Sequence, residues 1–358
     1  MSIFCCKNLF FLILLHSFLL TGITSAADEA KQGEPLPDPS KVQPALVATG
    51  FAPAEGLHFD KEGNLFACNY RVVGTIGKLT PDGTASVYSN LRSFRSRDGR
   101  QARPADLVVD ASNRLIIADA GAGRLLRLAE SNKLEIISER FLGARYNSIT
   151  KLALDPEGNV YFVDAGDSRT SNPTGTIYRY NIMTGRIQLL ASGFSFPDGI
   201  AIAPDGKKIC IAESNLFRVV VYDLDANGQM VNRSVLVTFP LTDKEAKERK
   251  IEGKDWVFGK FAPNDLAFDA AGRLYVAMRG GGVVNVIEVS TGKWLQQYKT
   301  TGKNVTTCEF YDKQPYVTLE EKEAIFQLPL GVKGYHSNGS GRPTRPVIPR
   351  ARRIFSGL

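Results

Sequence analysis

The chain has 358 residues, 43% of them hydrophobic, and a formal charge of +7 at pH 7. A chain of this length and composition can bury a sizeable core, so it needs no disulfide staples to fold. Lys7 carries one of the seven charges and the segment from residue 331 to the end carries the other six, which leaves the part between them neutral. A neutral globular part argues against nucleic-acid binding.

The first 26 residues have the pattern of a targeting segment. Lys7 precedes an apolar stretch that continues to residue 20, and small residues follow up to Ala26. This pattern is typical of a cleaved secretory signal and is too short for a stable membrane anchor. We therefore expect an exported protein, secreted or periplasmic, with a leader without regular structure at residues 27–40.

One hairpin pattern is repeated along the chain. In residues 261–277, FAPNDLAFDAAGRLYVA, apolar and polar residues alternate on both sides of a turn that ends in Gly272. Such alternation around a glycine-containing turn predicts a β-hairpin. Four further copies and a weaker one, which is the last, occur at residues 54–67, 104–118, 149–163, 197–212 and 306–318.

The spacing of the hairpins predicts the fold. Their turns begin at Asp60, Asp110, Asp155, Ala203, Asp269 and Asp312. This spacing is near the roughly 40 to 50 residues of a propeller blade. We predict an all-β, six-bladed β-propeller of four-stranded antiparallel blades over residues 41–330, in which a strand at 41–50 completes the last blade and closes the ring. The basic segment 331–358, rich in Pro and Gly, is predicted to be a disordered tail.

Three cysteines remain after the signal segment, Cys68, Cys210 and Cys308, and each lies in or beside a predicted strand. An odd count makes a disulfide framework a poor explanation. We expect buried, reduced thiols that pack as small hydrophobic residues.

Propeller geometry predicts a ring of residues around the channel. The innermost strand of each blade starts at one face of the channel, and counting five residues back from each turn gives the ring positions Glu55, Ala105, Thr150, Asp198, Asn264 and Thr307. Carboxylate and amide oxygens are hard ligands that suit Ca²⁺. Any one of these polar residues is better explained as a strand cap. Three on one ring predict a divalent cation site formed by Glu55, Asp198 and Asn264.

The sequences around these positions resemble the SMP-30/gluconolactonase/luciferin-regenerating-enzyme-like family, six-bladed calcium-dependent hydrolases of lactones and some organophosphates. The resemblance covers about residues 41–329. Glu55-Gly56 matches a Glu-Gly pair that opens the first blade of the family, and the sequence FPDG around Asp198 is similar to FPNG. Asn264 stands in PND where the family has PDG. The Asp and Asn are thus exchanged between two blades, and the set keeps two carboxylates and one amide.

A further departure lies in the blade before FPDG. The family often has NSPND there, with its second Asn reaching into the site, whereas this chain has NSITK at residues 147–151. The resemblance implies that Asn147 and Thr150 contact the substrate. The shorter Thr150 hydroxyl replaces the amide only in part, and Asn147 compensates only if the start of the strand is shifted.

The resemblance also implies a mechanism and a substrate class. The cation polarises the carbonyl of a sugar lactone, related lactone or similar ester, and a carboxylate at the metal activates the attacking water. Because Asn264 occupies the family's usual base position, this role is assigned to Asp198. Asp265 is a poorer candidate, since strand alternation predicts that it points to the opposite face.

Loops on the same face are expected to surround the channel mouth. Residues 91–103 contain five arginines that suit an acidic sugar or a carboxylated lactone, and Arg103 is our substrate-binding candidate among them. A solvated basic loop remains an open alternative. The charged insertion at residues 241–256 is expected on this face too, either as a lid or as an inert surface helix.

Two other functions fit the repeats. A non-catalytic binding propeller of the NHL-repeat kind, for a carbohydrate, peptide or protein, shares the hairpin pattern, but it has no reason to bring Glu55, Asp198 and Asn264 together. A strictosidine-synthase-like propeller is the third reading. His58 and His336 are the only histidines after the signal, so the paired histidines of paraoxonase-like propellers are missing. The sequence fixes neither the lactone nor the oligomeric state.

Overall fold

The computed structural model describes residues 33–129, 133–240 and 261–335. The predicted signal at residues 1–26, the insertion at 241–256 and the tail beyond residue 335 lie outside these ranges. Within them, no helix is long and apolar enough to span a membrane.

The described residues form strands and three short 3₁₀ helices, which are Pro39–Lys41, Ser214–Leu216 and Glu320–Lys322. The strands, numbered in chain order, are β1 (Ala45–Thr49), β2 (Phe51–Phe59), β3 (Leu65–Tyr70), β4 (Thr75–Leu79), β5 (Ala85–Asn90), β6 (Pro104–Val109), β7 (Leu115–Asp119), β8 (Arg124–Leu128), β9 (Leu134–Ser138), β10 (Arg140–Phe141), β11 (Ala144–Arg145), β12 (Ile149–Leu154), β13 (Val160–Asp164), β14 (Gly175–Tyr180), β15 (Ile187–Phe194), β16 (Pro197–Ile202), β17 (Lys208–Glu213), β18 (Arg218–Leu224), β19 (Met230–Thr238), β20 (Ala262–Phe268), β21 (Arg273–Arg279), β22 (Val283–Glu288), β23 (Trp294–Lys299), β24 (Val305–Tyr311), β25 (Gln314–Leu319) and β26 (Ala324–Gln327).

Six four-stranded antiparallel sheets form the blades of a propeller. Blades 1 to 5 begin with β2, β6, β12, β16 and β20, and blade 6 has the order β1-β26-β25-β24. The innermost strands contact one another around the ring, and β24 meets β2 where the ring closes. This arrangement confirms the predicted fold, including the closure of the last blade by the strand before the first hairpin. A separate two-stranded hairpin, β10-β11, lies between blades 2 and 3.

The repeated Asp of the hairpins closes the turn between the first two strands of a blade. In blade 1 the Asp60 carboxylate accepts a hydrogen bond from the backbone N–H of Asn64 at 2.8 Å, and Asp155 does the same for Asn159 at 2.8 Å. Gly63 follows in a left-handed conformation with φ of 82°, which favours glycine. A backbone group that a tight turn leaves unpaired is thus satisfied locally.

Apolar side chains between neighbouring blades make the core. Between blades 2 and 3, for example, one cluster joins Val108 to Phe162, and within it Phe162 and Tyr178 stack at 5.1 Å. Full burial of one such large apolar side chain contributes about 1.5–3 kcal/mol. Cys68, Cys210 and Cys308 are free and buried, as predicted.

The described part of the leader lies along blade 5. The Glu34 carbonyl accepts a hydrogen bond from Arg273 at 2.9 Å, and the Pro37 carbonyl accepts one from Tyr298 Oη at 3.0 Å. At the other end of the described chain, Tyr335 N–H donates to the Phe268 carbonyl at 3.0 Å. Residues 33–40 and 331–335 are therefore held against the propeller.

Candidate functional site

Each innermost strand has a β-bulge close to its start. In blade 4 the pairing with the second strand passes from Pro197 directly to Gly199, and Asp198 is the extra residue. A bulge sets two residues opposite one, so it interrupts the alternation of side chains and re-aims them. The same irregularity occurs in every blade. The extra residue is Gly56, next to Glu55, in blade 1, and it is Ala105, Thr150, Asp198, Asn264 and Thr306 in blades 2 to 6.

Blade 6 differs from the predicted ring by one residue. Thr306, not Thr307, occupies the bulge, because Tyr311 pairs with Gln314 and the turn between them has two residues. The corresponding turn of blade 2 runs from Val109 to Leu115 and is longer. A count of five residues back from Asp312 therefore stops one residue short of the bulge in blade 6. The Thr306 hydroxyl donates to the Ala54 carbonyl of blade 1 at 2.6 Å.

The structure brings two of the three predicted metal ligands into contact, and the third, Glu55, is close enough for its charge to act on Asp198. The buried Asn264 amide donates a hydrogen bond to Asp198 Oδ2 across the boundary between blades 4 and 5. Burial first of all, with some repulsion from Asp265 and Glu55, raises the pKa of Asp198 to about 7. Burial likewise raises the pKa of Glu55 to about 7, while Arg103, Lys151 and Arg279 oppose the rise. Burial thus disfavours the ionised forms of Glu55 and Asp198, which share the channel mouth with the Asn264 amide.

A buried lysine lies just below these acids, and the sequence analysis did not assign it a role. Lys151 is 5% exposed. Its Nζ donates to the Thr306 carbonyl at 3.0 Å and lies 3.5 Å from Asp265 Oδ1. Burial alone would lower the pKa of Lys151, but Asp265, Asp106, Asp198 and Glu55 together raise it above its ordinary value. The chain thus carries a fixed cation inside its channel.

Two aspartates flank this lysine. Asp106 Oδ2 accepts a hydrogen bond from Leu152 N–H at 2.9 Å, and Asp265 Oδ2 accepts one from Cys308 N–H at 3.0 Å. Burial raises the pKa of Asp106 to about 8 and the pKa of Asp265 above its ordinary value, although Lys151 opposes both shifts. The expectation that Asp265 points away from the channel is wrong, because the bulge at Asn264 breaks the alternation and Asp265 lines the channel cavity with Asp106.

The donor set fits a hard divalent cation. Among the described residues no group of three or more His, Cys, Asp or Glu side chains is arranged to hold a metal, so a cation site here requires the Asn264 amide oxygen beside the carboxylates of Glu55 and Asp198. The Thr150 hydroxyl, at the bulge of the blade before Asp198, is buried and has no hydrogen-bond partner in the described chain. Buried acids with raised pKa and an unpaired hydroxyl are groups that a cation such as Ca²⁺ would satisfy.

The predicted substrate-binding residues are spread over the rim. Arg103 is exposed, and its charge opposes the pKa rise of Glu55. Asn147 is exposed too, and its side chain lies beside Gly166, while its backbone N–H donates to Asp164 at 3.0 Å. Within the described residues, no hydrogen bond joins Asn147 to the ring positions of the innermost strands. Thr150 alone of the three occupies a bulge.

An ion pair that the sequence analysis missed also borders the mouth. Arg279 Nη2 lies 2.6 Å from Glu320 Oε2, and both charges act on Glu55. Arg279 is the last residue of β21 and Glu320 follows β25, so only the folded ring brings them to the first blade.

Comparison with known proteins gives one family and several relatives. The profile of the SMP-30/Gluconolactonase/LRE-like region matches residues 101–319, more than half of the chain. A gluconolactonase of Zymomonas mobilis is 23% identical over 288 residues, which are 73% of this chain and 78% of that protein. Lactonase drp35 of Staphylococcus aureus is 27% identical over 238 residues, 65% of this chain and 65% of the relative.

The solved structures share the fold. A calcium-binding protein, regucalcin, of Agrobacterium tumefaciens superposes with a TM-score of 0.64 at 19% identity, over 83% of this chain and 96% of that one. At this identity the likeness shows the architecture of the six blades and no more. The family match, and not this superposition, therefore relates the channel mouth of this chain to known proteins.

Proposed function

The chain belongs to the SMP-30/gluconolactonase/LRE-like family, and on this premise we propose that it opens a sugar lactone, or a similar ester, at a divalent cation held by Glu55, Asp198 and Asn264. The contact between Asp198 and Asn264 at the channel mouth carries the proposal. Relatives named gluconolactonase and lactonase support the reaction class. A calcium-binding protein of the same fold supports Ca²⁺.

When bound, the cation would polarise the lactone carbonyl as a Lewis acid. The chain supplies the other parts of the reaction. The Asn264 amide holds Asp198 by one carboxylate oxygen, which leaves the other oxygen to accept a proton from the attacking water. As the water oxygen bonds to the carbonyl carbon and the ring C–O bond breaks, the proton on Asp198 passes to the departing alkoxide. Water is consumed and a hydroxy acid is released.

Charge inside the channel sets the protonation state of this base. In the chain without the cation the pKa of Asp198 is about 7, so a large fraction of molecules near neutral pH carries the carboxylate that the cation and the attacking water require. Lys151 is the first of the groups that oppose the effect of burial on Asp198. The fixed ammonium group below the ring therefore keeps the base from staying protonated.

We propose that the protein is exported to the periplasm or the medium, because residues 1–26 have an apolar stretch and a small-residue end. A bound small molecule is the only partner that the lactonase relatives support.

Replacement of Asp198 tests the proposal. Wild-type protein and the Asp198→Asn variant would be incubated in Ca²⁺ with a panel of sugar and acyl lactones, and acid release would be followed with a pH indicator. Loss of a general base lowers kcat by about 10²–10⁴-fold, and loss of a carboxylate ligand weakens Ca²⁺ binding. The matched control is Asp205→Asn, in the exposed turn of the same hairpin. Unchanged hydrolysis and unchanged Ca²⁺ affinity in Asp198→Asn would refute the assignment.

A further inference from the structure

A second pocket opens at the channel mouth between blades 1 and 2. It has a volume of about 340 Å³, within the range of roughly 300–1,000 Å³ found for ligand pockets. Its lining comes from three connections that start or end at the mouth, the β3–β4 loop, the β5–β6 loop and the β7–β8 turn, and consists of Val72, Val73, Arg92, Gln101, Ala102, Arg103 and Gly121. Arg103 immediately precedes β6, so the pocket lies beside the candidate site.

The five arginines of the β5–β6 loop have different surroundings in the structure. Arg95 donates to the Gly99 carbonyl at 3.0 Å, and Arg100 pairs with Asp98 at 3.2 Å, so both stabilise the loop itself. Arg97 is exposed and does not line the pocket. Arg92 and Arg103 line it, and neither guanidinium group has an ion pair or hydrogen bond with the described residues. Two cations are thus left for a ligand.

The backbone holds both arginines in place. Arg92 N–H donates to Asn90 Oδ1 at 3.0 Å. Arg103 N–H donates to Asp119 Oδ1 at 2.9 Å, and its carbonyl accepts from Ala120 N–H at 3.0 Å. Gly121 completes this wall, because a Cβ there would lie 2.4 Å from the Gln101 carbonyl oxygen. The Arg103 main chain is therefore fixed before any ligand arrives, which reduces the entropy cost of binding.

The remaining wall is apolar. Val72 and Val73, in the β3–β4 loop, are 41% and 42% exposed, and no lining residue is acidic. A pocket with two unpaired cations on one side and β-branched side chains on the other suits an anion that carries a carbon skeleton. A guanidinium group pairs with a carboxylate through two parallel hydrogen bonds.

We propose that this pocket binds the end of the substrate opposite the lactone carbonyl, and that the substrate class is a lactone bearing a carboxylate at that end. The carboxylate lies between Arg92 and Arg103, and its carbon chain lies against Val72 and Val73. This inference rests on the proposed lactone hydrolysis, since it places the lactone ring at Asp198. It predicts that this chain prefers a charged lactone over a neutral one.

The test compares two lactones that differ only at carbon 6. Glucaro-1,4-lactone has a carboxylate where glucono-1,4-lactone has a hydroxymethyl group. For wild-type protein we expect kcat/KM at least about tenfold higher on the charged lactone, from charge-assisted hydrogen bonds. In Arg92→Gln this preference falls about tenfold through KM, with kcat and the neutral lactone little changed. Arg97→Gln, a charge removal in the same loop outside the pocket, keeps the preference.

A binding measurement separates failure of the pocket from failure of the hydrolase. Glucarate and glucitol, the neutral open-chain polyol with a hydroxymethyl group at each end, would be titrated calorimetrically into wild type, Arg92→Gln, Arg103→Gln and Arg97→Gln. Tighter binding of glucarate that is lost in Arg92→Gln and Arg103→Gln supports the pocket even if no lactone is hydrolysed. Equal affinities for the two ligands, no binding of either, or equal losses in Arg97→Gln overturn it. Hydrolysis of glucono-1,4-lactone alone then leaves the proposed function standing without the pocket.

Discussion

Replacement of Lys151 by Met removes the fixed cation while keeping most of the side-chain volume. The ammonium group lies 3.5 Å from Asp265 and is the main group that opposes the effect of burial on Asp106 and on Asp265. Removing one partner of a buried ion pair costs about 3–5 kcal/mol, because the other charge stays buried without compensation. We expect a loss of this size in the free energy of unfolding of the Lys151→Met variant at pH 8.

The loss has a defined dependence on pH. The folded pKa of Asp106 is about 8, above its ordinary value of 3.8, and it rises further when Lys151 is removed. A raised pKa stabilises the folded state below the unfolded pKa, and this stabilisation is lost as the pH rises through the folded pKa. Protonation of the acids at pH 5 therefore relieves part of the damage, and the loss is smaller there than at pH 8.

Urea unfolding in chelating buffer at the two pH values measures both effects. The control is Lys208→Met, which removes a surface pair with Asp223 at 2.6 Å whose side chains are 43% and 40% exposed. Exposed pairs contribute about 0–1 kcal/mol, so this variant should change little at either pH. The reasoning is refuted if Lys151→Met loses no more stability than Lys208→Met at pH 8, or if its loss is the same at pH 5.

The channel mouth gives two more predictions. The folded pKa of about 7 for Glu55 and Asp198, against ordinary values of 4.5 and 3.8, predicts that without metal their stabilising contribution is lost as the pH rises from about 4 to 7. Protons compete with Ca²⁺ for the same oxygens, so Ca²⁺ should raise Tm more at pH 8 than at pH 5 in thermal unfolding, and equal shifts would contradict a carboxylate site. The Thr150→Asn variant, which places an amide oxygen at the bulge, should bind Ca²⁺ more tightly in calorimetry than Thr150→Val; equal affinities would show that the unpaired Thr150 hydroxyl lies outside the site.

The sequence predicts the fold well because the local signals agree with each other. In four of the six blades the Asp that begins the turn closes the hairpin by accepting hydrogen bonds from the backbone of the same turn, so one short pattern marks the first two strands of a blade. Regular spacing then predicts the number of blades and the ring of Glu55, Asp198 and Asn264. The count misses the bulge by one residue in blade 1, where the extra residue is Gly56, and in blade 6, where it is Thr306 and a shorter turn follows the strand.

The lower layer of the channel does not follow from strand alternation. Each bulge adds a residue to its strand. Asp265 therefore lines the channel, whereas in a regular strand its side chain would point away from the channel. Lys151 stands where the family pattern NSPND has Asp, and that exchange is visible in the sequence, but its partners Asp106 and Asp265 come from other blades. The five arginines near the mouth look alike in sequence. Only the folded loop shows that Arg95 and Arg100 are engaged while Arg92 and Arg103 face a pocket.

Titration of Ca²⁺ into chelator-treated protein by calorimetry tests the cation site most directly. Wild-type protein should bind one ion per chain at the channel mouth, and Glu55→Gln should lose at least about tenfold in affinity because a hard cation loses a charged oxygen ligand. Glu62→Gln, in the exposed turn of the same hairpin where Glu62 accepts from Asn113 at 3.1 Å, should bind like wild type. Absence of binding heat in wild type, or the same affinity in Glu55→Gln, would contradict a cation held by this ring.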